Sequence, residues 1–151
     1  MSFLVASVVL IAIVAVATVW DLRSMRIPDT LNAVMIASGL AANGVLGHPI
    51  WDAVIGAFAG YGAIWLMNQL YRRWRGREGI GMGDAKMLAG AGAWVGWAYL
   101  PFVLLGASLI GVGYAVARGL TRTARLPFGP FIGVSLLAVW FASGYRLLPL
   151  V

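Results

Sequence analysis

Apolar residues fill nearly the whole stretch from residue 2 to residue 20, and the same pattern returns five more times along the chain. A run of about 17–25 apolar residues is long enough to cross a bilayer as a helix. The pattern predicts an all-α membrane protein with six transmembrane helices: residues 2–20, 30–46, 52–71, from near Asp84 to just before Pro101, 101–117, and from the 126–131 stretch to about residue 148. Pro28 restricts Ile27 to extended geometry, and Asp29 or Thr30 is expected to cap the second span. Gly47, His48 and Pro49 make a turn, and Asp52 is expected to cap the third span. The pairs Gly56 and Gly60, Gly92 and Gly96, and Gly129 and Gly133 put small residues one helical turn apart, which lets helices approach closely. No repeat, low-complexity tract or soluble domain stands out, so residues 1–151 are read as one transmembrane domain. Ala15, Val16 and Ala17 imitate a signal-peptide cleavage site, but no Lys or Arg precedes the first run, and it is read as a retained helix.

Composition reinforces the pattern. Of 151 residues, 62% are hydrophobic and 11% charged, against about 25% charged in a soluble domain. Eleven Lys and Arg against five Asp and Glu give a net charge of +6. Such an excess could suggest nucleic acid. These charges cluster between apolar runs, however, which reads as topology and contact with anionic lipid. Arg23 and Arg26 follow the first span, Arg72, Arg73, Arg75 and Arg77 the third, and Arg118, Arg122 and Arg125 the fifth; the other side has Arg146 and His48. The positive-inside rule then places those three loops in the cytoplasm and both termini outside.

The chemistry must come from carboxylates. There is no Cys, which removes disulfides, thiolate nucleophiles and Cys-held metals, and the single His48 excludes a two-His metalloprotease helix. It also argues against a Ser–His protease, because His48 falls on the face opposite the candidate acids. Asp21 closes the first run and Asp84 opens the fourth, both at the cytoplasmic end. An ionised Asp at a helix centre costs roughly 2.5–3.5 kcal/mol to insert, so acids kept at membrane depth are functional candidates. Gly79, Gly81 and Gly83 offer a permissive backbone beside Asp84. Two carboxylates a few ångströms apart cannot both ionise easily. One can then take a proton from an attacking water while the other, protonated, hydrogen-bonds a scissile carbonyl. That reaction needs no metal, cofactor or covalent intermediate. Lys86 could tune Asp84, hold a substrate carboxylate or snorkel to the interface. Glu78 and the arginines of residues 72–77 read as solvated loop charges. A proton- or cation-coupled transporter or channel subunit could use the same pair, and a non-catalytic assembly subunit would leave it unexplained.

Three motifs also carry a resemblance. Gly81, Met82, Gly83 and Asp84, followed by Ala85, Lys86 and Met87, are similar to the Gly-x-Gly-Asp signature of type IV prepilin peptidases. Asp21 stands seven residues before Pro28 in Ile27-Pro28-Asp29, as an Asp does in that family, and Pro127-Phe128-Gly129-Pro130 resembles the stretch before its last helix. The resemblance implies a multi-pass aspartic endopeptidase of the bacterial cytoplasmic membrane. It would remove the basic leader of a prepilin or pseudopilin after a Gly at the cytoplasmic face, with Asp21 and Asp84 as the catalytic pair. Gly81, Gly83, Lys86, Asp29 and Pro28 would support the loop or the substrate. Larger members carry a cysteine-containing N-terminal region and also methylate the product. With no Cys here, methyl transfer is not expected, and the short form resembles the peptidases of tight-adherence (Flp-type) pili.

Overall fold

The computed structural model describes residues 2–76, 81–119 and 126–144. Arg77, Glu78, Gly79, Arg122, Arg125 and Arg146 lie outside the described residues. Within them the chain forms five helices, α1 (Ser2–Ser24), α2 (Asp29–Leu46), α3 (Ile50–Arg75), α4 (Met82–Ala117) and α5 (Gly129–Gly144), and no strand. Three of these, α1, α3 and α4, are long and apolar enough to cross a membrane. The surface agrees with that reading. Leu4, Val8, Phe58, Val112 and Val116 all lie on the outside, each more than half exposed, so the chain is apolar without as well as within. Lipid, not water, suits such an exterior.

Small residues decide how the helices meet. A Cβ on Gly92 would run into the Gly56 carbonyl, and one on Gly60 into the carbonyl of Leu88, so α3 and α4 touch backbone to backbone. A Cβ on Gly39 would stand 2.8 Å from the Ala93 carbonyl carbon, which brings α2 onto the same stretch of α4. On the other side, a Cβ on Gly133 would meet Val14 Cγ1 at 2.7 Å, seating α5 on α1. Trp94, Leu10, Met87, Ile132 and Leu136 fill the interior. The buried indoles find partners, as a low-dielectric core requires, whereas both polar atoms of the buried Asn32 side chain have no hydrogen-bond partner. Trp94 Nε1 donates to the Met35 carbonyl at 3.0 Å, and Trp140 Nε1 to Ser7 Oγ at 2.9 Å.

The fourth and fifth expected spans join differently from the sequence expectation. The chain stays helical through Pro101 and breaks at Gly96, where φ is 76° and ψ 172°. Only glycine adopts that backbone readily, whereas Pro101, in the second turn of the arm that follows, forgoes one helical N–H without ending the helix. A break frees carbonyls of the preceding turn. Asn43 Nδ2 donates to those of Ala93 and Trp94, at 2.9 and 3.1 Å. Other boundaries also shift. Helix α1 runs past Trp20 to Ser24 and ends at Met25, whose φ of 53° reverses the chain. Neither Asp29, Thr30 nor Asp52 caps a helix: Pro28 and Pro49 hold the N-cap positions of α2 and α3, with no side-chain capping bond. Asp52 instead accepts from Trp97 Nε1 at 3.2 Å, beside the break.

Candidate active site

The site is built where three helix ends meet. Asp21 lies in the last turn of α1, and with the helix continuing to Ser24 it is drawn inward to 4% exposure. The Met25 reversal then brings Ile27 back as a buried residue against the same region. Asp84 enters from the first turn of α4, whose N-cap is Gly81. The Gly81 N–H donates to the Asp84 carboxylate, the reciprocal bond of a helix-start residue. Gly129, the first residue of α5, donates its N–H to Asp21 Oδ2 at 3.1 Å. Each aspartate is thus held by a glycine amide at the N-terminus of a helix, where backbone donors lack helical partners. The two carboxylates are near enough to interact through space. The structure therefore brings Asp21 and Asp84 together from opposite halves of the chain.

The surrounding glycines leave the acids little freedom. A Cβ on Gly129 would stand 2.7 Å from Asp21 Oδ2 and 3.1 Å from Ile27 Cδ1, and one on Gly81 would stand 3.3 Å from Asp84 Oδ2. The freedom of backbone angle expected at Gly81 and Gly83 is not what these residues supply. Gly81 is extended at φ −66°, and Gly83 lies in the helix. Positive φ is found at Gly76, which closes α3. Close approach is the constraint at the site.

Lys86 and Asp29 find each other: Nζ lies 2.6 Å from Oδ1, across the seam between α2 and α4. Pro28 sets the entry to α2 and its carbonyl accepts from the Leu31 and Asn32 amides. Gly129 is the residue that sequence reasoning passed over. It stood in the Pro-Phe-Gly-Pro stretch, but its spacing to Gly133 read as helix packing. A proline on either side of a glycine that opens a helix was the available signal of a fixed amide.

This arrangement can activate water between two acids with no group from outside the chain. The type IV leader peptidase family model matches residues 8–116, a segment that contains both aspartates. Named relatives point the same way. A prepilin leader peptidase/N-methyltransferase of Aeromonas salmonicida is 39% identical over 142 residues, 91% of this chain and 48% of the relative. Its counterpart in Escherichia coli is 40% identical over 121 residues, 78% of this chain and 54% of the relative. That of Neisseria gonorrhoeae is 35% identical over 128 residues, 84% and 45% of the two chains. The chain spans about half the length of the curated relatives it matches. No solved structure matches it. With the family match running through both members of the acid pair, the chain belongs to the type IV leader peptidase family.

Proposed function

We propose that this chain is an aspartic endopeptidase of the bacterial cytoplasmic membrane, which removes the basic leader of a prepilin or pseudopilin after a Gly. The observation that carries this reading is the convergence of Asp21 and Asp84, each fixed by a glycine amide. A water lying between the carboxylates gives its proton to the ionised one and attacks the scissile carbonyl carbon. The protonated one hydrogen-bonds the carbonyl oxygen and supports the tetrahedral intermediate. Collapse breaks the C–N bond, and the departing amine takes a proton from the pair. The acid pair accounts for hydrolysis and contributes nothing to methyl transfer, so only the peptidase half of the relatives' printed name is carried over. Family membership gives the transporter alternative no support. The test is direct: this chain in membranes, mixed with a prepilin, releases the leader by a cut after Gly. An intact prepilin under conditions where a curated relative cleaves it would overturn the reading.

We also infer the orientation. The break at Gly96 divides α4 into two arms, and with the other four helices these make six crossings, with both termini outside. Arg23, Arg26, Arg72, Arg73 and Arg118 then share the cytoplasmic side with the acid pair, where they meet anionic headgroups, and His48 faces outward. In this Cys-free chain, His48→Cys labels with an impermeant maleimide added to intact cells, whereas Arg73→Cys labels only after the membrane is opened. Labelling of both from outside would overturn the orientation.

Gly129 yields a sharper expectation. Gly129→Ala places a methyl group against Asp21 Oδ2 and displaces the carboxylate. A shift of about 1 Å can cost on the order of 100-fold in rate, so leader release falls by that order while the protein still accumulates. Gly113→Ala, where nothing lies within 4 Å of a new Cβ, serves as the control and cleaves normally.

A further inference from the structure

Asp21 and Asp84 ride on different helices, so their separation depends on how the first turn of α4 sits against the connection between α1 and α2. Two contacts cross that seam. The first is the Lys86–Asp29 ion pair at 2.6 Å, between residues 57 apart in the chain. The second is the seat of Gly83 on Ile27, where a Cβ on Gly83 would stand 3.6 Å from the Ile27 nitrogen and 3.9 Å from its Cβ. Ile27 lies between Asp21 and Asp29 in sequence, and Gly83 adjoins Asp84. The two contacts therefore bracket Asp84 on its own segment and tie it to the stretch of chain that follows Asp21.

Lys86 does not act on Asp84 by touch. Two positions along a helix turn the side chain through about 200°, so the residue that faces Asp29 points away from its neighbour's carboxylate. Nor does the pair resemble a major prop of the fold. The Asp29 side chain is 76% exposed and that of Lys86 36%, and exposed ion pairs stabilise a fold only weakly. What the pair does fix is the place of one helix start relative to one loop.

We propose that Asp29 and Lys86 form a positioning clamp, which holds the first turn of α4 against the α1–α2 connection and so sets the spacing of the two catalytic carboxylates. The clamp rests on the peptidase reading for its role in turnover, but its mechanical part can be measured apart from activity. The 3.9 Å between Cβ positions at 27 and 83 falls within the ~3.5–4.5 Å of a disulfide. In this Cys-free chain, the Ile27→Cys/Gly83→Cys variant closes a disulfide under mild oxidation. Adding Lys86→Met slows that closure several-fold, and exchanging the charges (Asp29→Lys with Lys86→Asp) restores it.

In the cleavage assay on the otherwise unaltered chain, Asp29→Asn and Lys86→Met each lower kcat several-fold, the reach of an exposed ion pair, and leave KM little changed. The charge exchange recovers most of the lost kcat. Wild-type kcat in both single variants overturns the clamp, as does a rate of closure indifferent to Lys86. An exchanged variant no better than either single one also overturns it. Should the wild-type chain cleave no prepilin while closure still depends on Lys86, the peptidase reading fails and the mechanical clamp stands.

Discussion

Asp84→Asn and Asp21→Asn each lower leader release by roughly 10²- to 10⁴-fold, the usual contribution of a positioned acid or base, with the protein still present in the membrane. An amide has nearly the shape of the carboxyl it replaces, so Gly129 and Gly81 keep an oxygen to donate to. What vanishes is the proton that the pair must pass between its members. Because the two act as one unit, the double variant is scarcely worse than either single one. Single-turnover cleavage of a prepilin, beside the amount of folded enzyme, checks both statements. Turnover near the wild-type rate in either single variant would remove that residue from the mechanism. Asp52→Asn supplies the contrast: its carboxylate meets Trp97 beside the Gly96 break, far along α4 from Asp84, and cleavage is unaffected.

The largest structural effect is expected at Gly92. A Cβ there collides with the carbonyl of Gly56, and because backbone meets backbone, no change of rotamer relieves it. Gly92→Val therefore separates α3 from α4 and costs about 3 kcal/mol or more, at or above the upper end of ordinary overpacking. In detergent the variant loses its sharp unfolding transition or fails to accumulate. Gly62→Ala tests the opposite case on the facing helix α3, since nothing lies within 4 Å of the added methyl group. There the helix gains from a better helix former by roughly 0.5–1 kcal/mol. A Gly92→Val protein that melts like the wild type would mean that α3 and α4 do not meet at these glycines.

The acid pair was legible in the sequence because charge is conspicuous in an apolar chain: five acidic residues leave few candidates, and Asp21 and Asp84 fall at one end of their runs with a glycine-rich loop beside Asp84. The helical runs were legible for the same reason of contrast. Contacts between distant residues were not. Asp29, directly after Pro28, and Asp52, three residues after Pro49, both stand at a helix start, where local rules favour a cap, yet their partners, Lys86 and Trp97, arrive from α4. Local sequence holds no trace of such pairings. The Gly96 break was hidden by a rule that was sound but misapplied. Pro101 looked the stronger helix breaker, but the helix runs on through it, whereas Gly96 adopts a backbone few other residues can. The amide of Gly129 went unread because a helix-packing glycine and a hydrogen-bonding one look alike until the neighbour is known.

The Gly96 break has a mechanical consequence. Residues before it carry Asp84 and pack on α2 and α3, and through Trp94 against Trp140 of α5, the ring centroids 5.3 Å apart; residues beyond it pack on α5, where Ser135 Oγ donates to the Val103 carbonyl at 2.8 Å, and α5 holds Asp21 through Gly129. Asp84 therefore rides on the first arm and Asp21 is held at the N-terminus of α5 beside the second, with Gly96 the joint between the arms. Gly96 stands twelve positions beyond Asp84, about 18 Å along the helical arm. A rotation of only a few degrees at one end is magnified to ångströms at the other, the scale on which two carboxylates either share a proton or stand apart.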